Sequence, residues 1–288
     1  MKPEETDMSE IDLDQGTVQY SDSGGDGPVI VLIHGLLVNG SLWRDVVPLL
    51  SENARVVVPE LPMGSHRIPM KPDADLTPPG VARLIADFLD ALDLRDVTLI
   101  GNDTGGAMCQ LVATRHPERL ARFVLTNCDS HKNFLPPMFR PLQWITQVPG
   151  VARVIARGLQ IPALRRLPMA YGWLTRTEVD RERSDSWVGP MATIPGVRRD
   201  VVKLLGGIHP RYTVEAATKL RAFDRPTMLI WGRKDRFFTR RHAEKLAAEF
   251  ADARLVWVED SATFVPVDAP DRLAGLVRDF VHRPVGSR

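Results

Sequence analysis

Val97-Thr98-Leu99-Ile100-Gly101-Asn102-Asp103-Thr104-Gly105-Gly106-Ala107-Met108 is the stretch that decides the fold. An apolar, β-branched run stops at Gly101, a short polar turn carries Gly105 and Gly106, and Ala107 to Thr114 continues at helical spacing. The pattern predicts a strand, a sharp turn with Asp103 at its tip, and a helix. Glycines at 101 and 105 let the strand and helix approach with no Cβ between them. The rest of the chain can be read for what it adds around that carboxylate.

The chain has 288 residues, enough for one α/β domain with an insertion or for two ordinary domains. With 37 Lys and Arg against 36 Asp and Glu, no net basic field exists to draw nucleic acid or anionic lipid. Cys109 and Cys128 lie in apolar runs and read as small buried hydrophobes, which suits a reducing compartment. The first residues are acidic rather than basic and then apolar, so no secretory leader is expected there. No apolar run reaches membrane-spanning length. The expected setting is cytoplasmic.

Working outward, the first dozen residues read as weakly attached, and Thr17–Tyr20 alternates as a half-buried strand. Val29–Ile33 is a strand buried on both faces, ending in His34-Gly35-Leu36-Leu37. Ser41 reads as the cap of a helix over Leu42–Leu50, and Arg55–Val58 as the next strand. A helix follows from Thr77 to Leu92, and after the central stretch Phe123–Cys128 is another buried strand. From about Ser130 to Leu220 no strand is evident, and prolines cut the segment into short helical pieces. Alternation resumes with a strand over Pro226–Gly232, a helix over about Arg241–Phe250, a strand over Leu255–Val258 and a helix from about Pro270 to Val281. These elements predict an α/β fold: a mostly parallel sheet of about eight strands flanked by helices. The core spans residues 1–129 and 221–288, and residues 130–220 form a helical cap. The cap leaves from the carboxyl end of a strand, so it sits over the edge where sites collect in such sheets.

This arrangement resembles the α/β-hydrolase fold over nearly the whole chain. His34-Gly35 after a buried strand matches that family's oxyanion loop. Gly101-Asn102-Asp103-Thr104-Gly105 matches its nucleophile elbow, usually Gly-x-Ser-x-Gly. Gly232-Arg233-Lys234-Asp235 matches the loop that carries its acid. Aspartate at the elbow is similar to the haloalkane dehalogenase and epoxide hydrolase branch, in which the carboxylate attacks carbon and forms an ester. The resemblance implies Asp103 as nucleophile, Asp235 as acid, and the N–H groups of Leu36 and Thr104 as an oxyanion hole.

Two positions depart from the family pattern. The segment Asp260–Pro270 matches the one that carries the catalytic histidine, but Thr263 occupies its position, and a hydroxyl has no useful basicity near neutrality. Thr104 stands where those relatives carry an aromatic residue or an arginine, so no N–H is offered to a leaving halide. Among other histidines, His131 lies just past the strand ending at Cys128, close to Asp129, an alternative location for the acid. The plainer role for His131 is to anchor the cap, and His34 reads as a hydrogen-bonding prop of the oxyanion loop. His66 and His209 are further candidates, while His242 and His282 read as surface positions. Asp129, His131, His34 and Thr263 are therefore expected to line the site.

Three functions follow from this reading. The first is hydrolysis of a small apolar molecule through Asp103, impaired at the water step. The second is a lyase, isomerase or cyclase in which Asp103 moves protons. The third is a binding protein without turnover. No phosphate loop, dinucleotide fingerprint or metal-ligand cluster stands out, so no cofactor and no metal are expected. The expected partner is a small molecule, with no nucleic acid and no membrane, and a homodimer is left open.

Overall fold

The computed structural model describes residues 8–282. Eight strands form one sheet in the order β1-β2-β4-β3-β5-β6-β7-β8. β1 (Ser9–Leu13) and β2 (Gly16–Asp22) make an antiparallel hairpin, and β2 runs antiparallel to β4. β3 (Val29–Ile33), β4 (Arg55–Pro59), β5 (Val97–Asp103), β6 (Leu120–Cys128), β7 (Thr227–Gly232) and β8 (Ala253–Val258) are mutually parallel. The expectation of a weakly attached start is corrected from Ser9 onward, where β1 pairs with β2 along its whole length. Its residues are mostly exposed, so the apolar alternation that would announce a strand is faint.

Along the central strands successive residues serve opposite faces. Val31, Ile33, Leu99, Phe123, Leu125, Leu229 and Trp231 enter one core, while Ile30, Leu32, Ile100, Val124, Met228 and Ile230 enter the other. This two-sided burial accounts for their continuous apolar runs. The second face is covered by α1 (Val47–Ser51), α11 (Val265–Asp268) and α12 (Pro270–Val281). The first is covered by α2 (Pro78–Ala91), α3 (Thr104–Arg115) and α10 (Arg240–Glu249). The expected Leu42–Leu50 helix is instead a short 3-10 turn, Gly40–Trp43, followed by α1. Its cap is Asn39 rather than Ser41, because the Asn39 carboxamide accepts from the Ser41 N–H at 3.1 Å.

Between β6 and β7 the described chain is helical: α4 (Leu142–Ile145), α5 (Val151–Leu159), α6 (Pro162–Arg165), α7 (Arg181–Thr193), α8 (Pro195–Gly207) and α9 (Pro210–Lys219). α9 returns to pack on α3.

The turn from β5 into α3 fits only without side chains. A Cβ on Gly105 would lie 2.1 Å from the His34 carbonyl oxygen, and one on Gly106 2.4 Å from the Cys128 Cβ. Both neighbours are rigid, so Gly105→Ala is expected to cost about 3 kcal/mol or more through overpacking. Gly275→Ala, in α12 with no atom within 4 Å of the new methyl, should stabilise by about 1 kcal/mol from helix propensity. Chemical denaturation of the two variants checks the contrast.

Candidate active site

The residue at the tip of the turn, Asp103, has φ 53° and ψ −131°, a conformation that side chains other than glycine rarely adopt. That geometry lifts the carboxylate off the end of β5. It brings Oδ2 to 3.2 Å from the Leu36 N–H, and the Thr104 N–H also donates to the carboxylate. Leu36 is held in place from below by His34. The Leu61 N–H donates to His34 Nε2 at 2.9 Å, so that nitrogen carries no proton, and Nδ1–H donates to the Gly35 carbonyl at 2.9 Å. Burial pushes the His34 pKa down to about 4. The ring is neutral and fully engaged, a prop rather than a base.

Asp103, Thr104, Leu36 and Leu37 form the floor of a cavity of about 110 Å³. Its roof comes from the segment between β6 and β7, including Phe139, Leu142, Ile155, Leu159 and Tyr171. Asp103 is the only carboxylate among the lining residues, and none of them is His, Lys or Arg. The Tyr171 hydroxyl donates to the Leu37 carbonyl at 2.7 Å. Tyr212 is engaged with Arg211 and does not line the cavity.

Of the residues expected at the site, Asp103, Thr104 and Leu36 meet on this cavity, and the others stand behind it or away from it. Asp129 is fully buried, accepting from the Thr104 hydroxyl at 3.0 Å and from the Leu135 N–H at 2.9 Å. Asp235 closes its own loop by accepting from the N–H groups of Phe237 and Phe238 at 2.7 and 2.9 Å, and it also accepts from Asn127 at 2.7 Å. Thr263 is fully buried. Its carbonyl accepts from Asn102 at 2.8 Å, and its hydroxyl faces Asp235 without completing a hydrogen bond. His131 does not line the cavity. A positive φ of 51° turns it away, and Nε2 sits 2.8 Å from Glu249 Oε1 on α10. His66 is buried against Asp200 at 3.2 Å, His209 caps α9, and His242 caps α10. Sequence reasoning missed Asn127 and Asn102, which tie the ends of β5, β6 and β7 and the segment after β8. Two asparagines closing consecutive strands were the available signal.

Residues 28–270 match the family model described as the alpha/beta hydrolase fold. The chain belongs to the α/β-hydrolase fold family. It is 28% identical over 281 residues to haloalkane dehalogenase 2 of Mycobacterium tuberculosis, covering 93% of this chain and 92% of that one. A haloalkane dehalogenase from Bradyrhizobium elkani superposes with a TM-score of 0.79 at 18% identity, covering 95% of this chain and 97% of the other. An α/β-hydrolase fold protein from Burkholderia ambifaria does so at 0.79 and 21%, covering 94% and 97%.

In this α/β-hydrolase the elbow carboxyl is hard to ionise. Burial raises the Asp103 pKa to about 6, the Asp235 charge adds to it, and the two backbone N–H groups oppose it. Asp129 is pushed well up by burial and then by the charge on Asp103. The accessible surface of Asp103 faces the cavity rather than bulk solvent, which reconciles its partial exposure with strong desolvation. The folded pKa exceeds the unfolded value of 3.8, so folding takes up a proton. The penalty is absent below pH 3.8 and complete above about 6. Asp103→Asn should therefore raise unfolding free energy at pH 8 by about 3 kcal/mol and leave it nearly unchanged at pH 3.5. Denaturant titrations at the two pH values check the sign.

Proposed function

We propose that this chain is an enzyme in which Asp103 attacks an electrophilic carbon of a small apolar molecule. The observation that carries the reading is a single carboxylate, gripped by two backbone N–H groups, on the floor of an otherwise apolar cavity. The Leu36 N–H holds Oδ2, the Thr104 N–H also donates to the carboxylate, and in this reading Oδ1 is the attacking oxygen. Attack forms a C–O bond to the carboxylate while the leaving group departs with its electron pair. In the resulting ester the cradled oxygen becomes the carbonyl oxygen, and the same cradle stabilises the charge developed when water adds to it.

The leaving group favours an epoxide over an alkyl halide. The Thr104 hydroxyl is committed to Asp129, so no donor in the elbow faces a departing halide. Tyr171 lines the cavity and burial holds its hydroxyl protonated, so on turning from the Leu37 carbonyl, to which it donates at 2.7 Å, it can supply the proton that an opening epoxide oxygen needs. Release of the ester needs a base, and no imidazole lines the cavity. The ester is accordingly long-lived, and the enzyme works slowly or stops after one round.

Incubation with a medium-chain terminal epoxide should add one substrate mass to the intact protein, mapped to the peptide bearing Asp103 and absent from Asp103→Asn. Thr263→His, checked for native circular dichroism, should speed loss of the adduct at least tenfold. Absence of both adduct and diol across epoxide, haloalkane and ester panels sinks the reading and leaves proton-transfer chemistry or a catalytically silent binder.

The raised Asp103 pKa favours a second reading, proton transfer in a lyase, isomerase or cyclase, since a carboxyl near 6 can both give and take a proton at working pH. Such an enzyme would show a rate governed by one group titrating near pH 6 and no oxygen incorporated from labelled water.

A further inference from the structure

The near-zero net charge of the chain conceals a local asymmetry. Residues 130–177 contain seven Lys and Arg and no Asp or Glu, so the remaining residues together carry −6. This basic stretch coincides with exposed apolar surface. Trp144, Ile145, Val148, Val154, Ile161 and Leu167 all turn outward, with Trp144 69% and Val154 70% exposed. α5 shows how one helix serves two sides: Ile155 and Leu159 line the cavity, whereas Arg153, Val154 and Arg157 face out. Met169 is 68% exposed while lining the cavity, so exposed apolar surface of this segment reaches the cavity mouth. Beside Val148 runs an open groove lined by Arg153, Arg198, Arg199 and Lys203, with no acidic side chain among its lining residues.

We infer that this face of the helical segment docks on an anionic lipid surface, placing the cavity mouth against the apolar layer. Exposed apolar side chains interleaved with unpaired cations are what an interface with negatively charged headgroups selects, and Arg153 and Arg157 supply them where Arg165 and Arg166 are taken up by Asp185 and Glu178. Arg153 and Arg157, exposed on α5 and in no ion pair among the described residues, are set to meet headgroup phosphates while Trp144 and its neighbours enter below them; in the groove Arg199 is held by Asp200 at 2.7 Å, and Arg198 and Lys203 by main-chain carbonyls. A second copy of the chain is a poorer occupant, because a two-fold contact would set the cations of one face against those of the other. Among the described residues no helix is long and apolar enough to cross a membrane, so the attachment is peripheral and reversible. It supplies an apolar molecule from the lipid directly to the cavity. The docking stands whichever chemistry Asp103 performs.

The full chain is mixed with phosphatidylcholine vesicles, with and without phosphatidylglycerol, and followed by co-sedimentation and tryptophan emission. Binding is expected only with the anionic lipid, with a blue shift that Trp144→Ser removes and with loss in high salt. The double variant R153Q/R157Q should bind about thirtyfold more weakly, at roughly fivefold per cation. Unchanged binding by either variant, or no binding to anionic vesicles at low salt, overturns the proposal. So does sedimentation equilibrium showing a dimer that Trp144→Ser dissociates while vesicles are ignored, since the face would then be a contact between copies. Activity is not the readout, so failure here is separate from failure of the Asp103 chemistry.

Discussion

The close approach of β5, α3 and the His34–Leu37 loop governs this molecule. Gly105 lies so near the His34 carbonyl that a methyl would sit within 2.1 Å of it, and Gly35 likewise faces Asp103 Oδ2, at 2.4 Å from where its Cβ would be. Contact this tight carries the Leu36 N–H to the Asp103 carboxylate and forces Asp103 into its positive-φ conformation. The strain is local, and the parallel strands on either side over-determine it. Once the turn closes, the loop needs a rigid underside. The neutral His34 supplies one by tying the Gly35 carbonyl to the Leu61 main chain.

That geometry gathers buried carboxylates without gathering cations. The hydrogen bonds to Asp103, Asp129 and Asp235 all come from backbone N–H groups, an amide or a hydroxyl. Neutral donors steady a carboxylate without cancelling its desolvation, so all three pKa values are raised despite well-formed contacts. The arrangement lowers stability near neutrality and leaves a carboxylate on the cavity floor. A salt bridge in the same place would have lowered the cost and taken the carboxylate out of use.

Legibility followed burial. The runs Val29–Ile33, Val97–Ile100 and Phe123–Cys128 announce strands because both faces are apolar, and α12 begins at a proline and keeps helical spacing to Val281. β1 was hidden because its residues are mostly exposed. The elbow and Asp103 at its tip were legible because the glycine spacing reports a steric need, whereas the places of Leu36 and Thr104 followed from the resemblance to the α/β-hydrolase pattern. The direction of His131 was not, since a single φ of 51° decides whether it points to the cavity or to Glu249. The cavity roof was equally opaque. Leu142, Ile155 and Leu159 have the spacing of core residues, and no periodicity distinguishes an apolar wall facing a void from one facing another side chain.

Thr263 shows what this segment does where the family pattern places an imidazole. Its carbonyl is tied to Asn102, the adjacent Phe264 packs edge-on against Trp187, and the Phe264 N–H donates to the Leu174 carbonyl at 2.8 Å. The segment therefore works as a strut between the sheet edge and the helical segment. Its hydroxyl, buried and unpartnered, is held behind the cavity wall rather than presented to it. Asp235, which faces it, is likewise spent on its own loop. The cavity floor, with Asp103 and the N–H groups of Leu36 and Thr104, is therefore a polar part of the site that faces the cavity, and the strut adds none.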